Sequence, residues 1–185
     1  MLWPVLRQAM AHPLAIRLVL ERWPLASMLL MGFEGDDEGT RDDMAEAQDL
    51  VVRAGGLDVG PEPAAHWFRH RNAPLPYETT VFDAGGFVET LAVTGLWRDL
   101  VRIHDRVRSA TGHRVLMPAF FTNAYREGAV CHFRLMGMGI GASPARSLDL
   151  YDWALPRLIG AAMKAGATVA HGSGIGLAKR DFTPD

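Results

Sequence analysis

His171 heads an alternating-glycine run, Gly172-Ser-Gly-Ile-Gly176, with Lys179 and Arg180 close behind. Successive backbone N–H groups in such a run can hold an anion, and an imidazole beside them can move a proton. A surface turn after a strand is the other reading of the same glycines. The pattern is G-x-G-x-G rather than G-x-G-x-x-G, and nine residues follow Gly176. A dinucleotide fingerprint needs a following helix, a second strand and a ribose-binding acid, so the Rossmann reading fails.

His132 and Arg134 alternate along a predicted strand and therefore share a face, with Cys131 and Phe133 on the other. Two basic groups on one sheet face imply a wet face or the lining of a ligand cavity. Cys131 reads as a small core residue. Ser173 has no visible base and acid partners, so no nucleophile is assigned there. His66 and His70 stand four apart and could share a helix face as metal ligands. No third ligand stands at a supporting spacing, and no metal site is assigned. The acids of Gly32-Phe-Glu-Gly-Asp-Asp-Glu-Gly39 do not fit an EF-hand loop, and read instead as a helix N-terminus after a strand.

These residues must be positioned by a chain whose patterning alternates helix and strand. Residues 5–22 are apolar at helical spacing, broken by His12-Pro13, and residues 25–33 read as a buried strand. A helix follows Asp36 to Ala54 and stops at Gly55-Gly56. Residues 57–86 form an irregular insert with a short helix at 64–71, between two proline pairs. A strand at 87–94, a helix at 96–110, strands at 115–122 and 128–135, a helix at 147–164 bent or restarted near Pro156, and a closing strand at 167–170 complete the order. The helix at 96–110 has Leu96, Leu100, Ile103 and Val107 on one face. The prediction is an α+β fold: a ferredoxin-like, mainly antiparallel sheet with helices packed on one face, in a single domain over 1–185.

Composition narrows the classes. At 185 residues, 49% apolar and 22% charged, the chain can bury one core. A formal charge of -2 gives no electrostatic case for nucleic acid or an anionic membrane. Pro4, Arg7, His12 and Pro13 break any signal-peptide apolar region, and the longest apolar run, Met28-Leu-Leu-Met31, is far short of a membrane span of ~20 residues. The single Cys131 fits a reducing compartment, and a cytoplasmic location is expected.

Four segments together resemble the C-terminal half of FAD-linked oxidases of the vanillyl-alcohol oxidase superfamily, the bacterial relatives of alkyldihydroxyacetonephosphate synthase above all. They are Leu29-Leu-Met-Gly-Phe-Glu-Gly35, Val88-Glu-Thr-Leu-Ala-Val-Thr-Gly-Leu-Trp-Arg-Asp-Leu100, Gly128-Ala-Val-Cys-His-Phe133 and His171-Gly-Ser-Gly-Ile-Gly176. They run in the family's order over most of residues 25–185.

The resemblance implies a cap or substrate-side domain of a flavoprotein oxidoreductase or synthase, laid over an FAD that a separate domain or polypeptide holds. It implies His171 as the catalytic residue, Gly172, Ser173, Gly174 and Gly176 against the cofactor, and His132 and Arg134 toward a small acidic substrate. Of the synthase's consecutive histidines only His171 stands here, followed by Gly172 and Ser173; its aromatic-strand tyrosines correspond to His132 and Arg134, and a family arginine falls on Tyr77. The FAD-binding domain is expected outside this sequence, so activity would need that partner. The alternative is a non-catalytic domain of the same fold, acting as an accessory subunit or by self-association, for example as a homodimer.

Overall fold

The computed structural model describes residues 27–73, 76–139, 143–169 and 174–182. They belong to two compact units, one within Pro24–Pro74 and one within Leu75–Asp185.

The first unit carries helices α1 (Asp37–Arg53) and α2 (Glu62–His70). Asp36 caps α1, its carboxylate accepting from the Gly39 N–H at 2.8 Å. That bond holds the Asp36 carboxyl below its ordinary value. Gly55, at φ 84, ends the helix as expected of a left-handed glycine stop. The expected buried strand at 25–33 is overturned over its described part. Residues 27–34 form no strand, and Met28 and Leu29 are 69% and 65% exposed. Apolarity alone suggests burial, but among the described residues these have no sheet neighbour to pair with.

The second unit begins with α3 (Pro76–Asp83), a helix inside the stretch expected to be irregular. Pro76 is its first residue, where the missing N–H costs nothing, so a proline within the expected irregular insert is a helix start. Then come β1 (Gly86–Leu96), a 3-10 turn at Trp97–Asp99, α4 (Leu100–Ala110), β2 (Ala119–Ala124), β3 (Gly128–Met138) and α5 (Pro144–Lys164). A single turn, α6 (Gly176–Lys179), leads into a 3-10 turn at Arg180–Phe182.

The sheet order is β1-β3-β2, antiparallel throughout, with Leu91 opposite Phe133 and Val93 opposite Cys131. Thr168, after α5, makes an isolated antiparallel bridge to Thr94 on the free side of β1. The expected closing strand is thus one bridge long among the described residues. With that segment beside β1, the spatial order is that of a ferredoxin-like βαββαβ unit.

Strand alternation builds the core. Leu91, Val93, Cys131, Phe133 and Leu135 point toward α4 and α5 and pack with Ile103, Val107, Leu158 and Ile159. Each large side chain so buried contributes about 1.5–3 kcal/mol. Leu100, Ile103 and Val107 are buried as the helical spacing predicts, whereas Leu96 ends β1 and is 41% exposed. Helix α5 runs unbroken through Pro156, whose missing bond is offset by the burial of Ala154, Leu155, Leu158 and Ile159 around it.

Strand β2 starts later than expected because Pro118 has no N–H for the ladder; only its carbonyl takes part, accepting from the Arg134 N–H at 2.9 Å. A register shift between Thr122 and Ala124 leaves Asn123 at φ 46, a bulge in the left-handed region.

Candidate functional site

His132 and Arg134 leave β3 on the face opposite α4 and α5, as the alternation predicts, while Cys131 and Phe133 enter the core. The face is not uniformly wet, since Ala92 and Val130 on it are buried. Register places Thr90 opposite Arg134 and Phe120 opposite His132. The side chains use that register. Arg134 Nη1 donates to Thr90 Oγ1 at 2.9 Å. The His132 ring lies parallel to that of Phe120, centroids 4.8 Å apart and planes within 5°.

Thr122 and His132 are joined by a hydrogen bond of 2.8 Å between Oγ1 and Nε2. The Thr122 hydroxyl also lies 2.9 Å from Asn123 Oδ1, so it bridges the imidazole and the Asn123 amide. Arg134 Nη2 is ion-paired with the Glu78 carboxylate of α3. Helix α3 therefore approaches this second face, and Val81, fully buried, packs where a side chain at Gly86 would stand.

The glycine run is described only in part. His171, Gly172 and Ser173 lie outside the described residues. Gly174 and Gly176 are exposed, at φ 67 and 57, and open space surrounds both. Their requirement for glycine is thus one of backbone conformation rather than of room. The basic pair behind them is engaged. Lys179 Nζ donates to the Val169 carbonyl at 2.9 Å and to the Gly174 carbonyl at 3.4 Å, and Arg180 Nε donates to Asp181 at 3.2 Å. The chain leading to His171 enters at the sheet: Thr168 pairs with Thr94, and Thr94 with Val130, two residues before His132 on β3. A cleft of about 400 Å³ lies at that end of β1, lined by Thr94, Leu96, Tyr125, Glu127 and Thr168, and contains none of the Arg134 group.

For an FAD, these residues fit a contribution from one side. Gly174 and Gly176 present bare backbone, and the Phe120–His132 stack offers a flat apolar surface. The glycines lead only into the single turn of α6, too short to cradle a pyrophosphate, so a bound FAD would have to be held by residues outside this set. Among the described residues, no three His, Cys, Asp or Glu side chains gather as a metal site. His66 and His70 do stack on α2, centroids 4.3 Å apart, with His70 Nδ1 donating to the His66 carbonyl at 2.8 Å. No described helix is long and apolar enough to cross a membrane.

Three members of the Arg134 group escape sequence reasoning. Glu78 sits on a helix hidden by the surrounding prolines. Thr90 and Phe120 become visible only through the register of β1 and β2 on β3. Parity along each strand is the signal that finds them once the pairing is known. Comparison of the chain with models of known protein families and with curated protein sequences gave no match.

Proposed function

We propose that this chain is the substrate-side domain of an FAD-dependent oxidoreductase or synthase of the alkyldihydroxyacetonephosphate synthase type, active with a flavin held mainly by an FAD-binding domain or polypeptide. The observation that carries the reading is the Arg134 group. An arginine on the face away from the core helices is fixed by Thr90 and already holds a carboxylate, beside the Phe120–His132 stack. That arrangement suits a small substrate with an acidic group and a flat or apolar body.

When bound, the flavin supplies the redox step. Arg134 orients the acidic group, His132 is held by Thr122 and Phe120 to border the body, and His171 moves a proton near the reacting centre. Gly172, Ser173, Gly174 and Gly176 would contribute to binding the cofactor. The location is cytoplasmic, in line with a lone, buried cysteine.

A partner is supported by the first unit, where Leu57, Trp67 and Phe68 are each more than half exposed and α1 buries no residue. The same surface favours the second reading, a non-catalytic accessory or self-associating domain. Turnover of the reconstituted flavoprotein with His171→Ala tests the assignment: a loss of about 10²-fold or more is expected of a proton-transfer residue, and unchanged turnover removes His171 from the chemistry.

A further inference from the structure

The carboxylate on Arg134 comes from the chain itself. Glu78 and Arg134 are partly exposed, at 34% and 19% of their side-chain surface. A guanidinium presents two edges to planar oxyanions. Here Nη1 donates to the Thr90 hydroxyl, Nη2 is taken by Glu78, and Nε is buried away from the surface, so a ligand carboxylate must take the place that Glu78 fills. Helix α3 itself is anchored, because Val81 is fully buried against the start of β1. The Glu78 side chain, with its three rotatable bonds, can swing away without moving the helix.

We propose that Glu78 is a built-in competitor for the Arg134 site, a tethered carboxylate that sets a threshold for ligand acids. This rests on the reading of Arg134 as a carboxylate site. It also names the ligand class: Glu78 shows that the site accepts a monocarboxylate, and the adjacent Phe120–His132 stack selects acids with a flat apolar body over small aliphatic ones. A ligand's apparent affinity is its intrinsic affinity scaled by the fraction of sites that are open. With Glu78 seated nine-tenths of the time, its removal strengthens binding about tenfold.

The test uses the full 185-residue chain, with benzoate as probe and acetate as the small comparison. Binding is followed by the NMR signal of the Arg134 guanidinium. Glu78→Gln, nearly isosteric, is expected to bind benzoate at least about tenfold tighter than wild type. Glu78→Asp, shorter by one methylene, falls between them and decides the matter if the glutamine variant fails to fold. Arg134→Gln abolishes binding, and benzoate binds more tightly than acetate throughout. Equal affinity in wild type and the Glu78 variants, with binding still lost in Arg134→Gln, overturns the competitor while leaving the carboxylate site standing. Absence of any Arg134-dependent binding overturns both.

Discussion

The Lys179 ammonium donates to the carbonyl of Val169 at 2.9 Å and reaches that of Gly174, so one side chain ties the residues on either side of positions 170–173. A basic residue that suggests an anion site in the sequence is a backbone staple in the structure. Lys179→Met is therefore expected to lower stability by about 1 kcal/mol, the worth of a partly exposed charge-assisted hydrogen bond. Urea denaturation checks this, and an unchanged midpoint would show that the staple carries no weight.

The crossing of β1 and β3 at Gly128 admits no side chain. A Cβ there would lie 2.0 Å from the Gly95 carbonyl oxygen, and backbone on both strands leaves neither partner able to yield. Gly128→Ala is predicted to cost about 3 kcal/mol or more, by forcing apart the central strand pair. Gly174→Ala makes the contrast, since its added Cβ meets nothing and only its φ of 67 resists; the expected cost there is about 1 kcal/mol. Denaturant titration of the two variants side by side reads the difference.

Phe133 fills the centre of the core, fully buried between Leu91 on β1 and Ala119 on β2. Phe133→Ala should cost about 3–5 kcal/mol, through lost transfer energy and the cavity left behind. Its neighbour on the opposite face provides the control: His132→Ala, with a partly exposed side chain, is expected to cost far less.

Burial raises the Cys131 thiol from its ordinary 9.0 to about 12. The folded state therefore binds this proton more tightly than the unfolded chain does. The resulting stabilisation is intact below pH 9 and is lost as pH rises from 9 toward 12. Tyr151 is raised in the same direction, first by burial and then by the charge of Glu89, to which its hydroxyl donates at 3.3 Å. Cys131→Ala should flatten part of the alkaline loss of stability. A thiol reagent should fail to label the native chain at about pH 8 and label it fully in denaturant.

The architecture was legible because its elements follow strong periodicities. Leu100, Ile103 and Val107 lie on one helical stripe, and Cys131, His132, Phe133 and Arg134 alternate as a strand requires. The failures share a cause, which is that local pattern does not state tertiary context. Met28 and Leu29 look buried because they are apolar, yet among the described residues no strand pairs them. Residues 76–83 fall inside the expected irregular insert because the role of Pro76 depends on which side of it the helix forms. The candidate site was half legible: strand parity put His132 and Arg134 on one face, while Glu78, from a separate helix, could not be placed there without the fold.

The proposed function depends on a flavin. The direct measurement is to purify the full chain from its own cells under mild conditions and record the visible spectrum and masses of the eluted species. A stoichiometric yellow complex, in which this chain accompanies an FAD-binding polypeptide, is the predicted result. A stable, colourless homodimer carrying no flavin would contradict it.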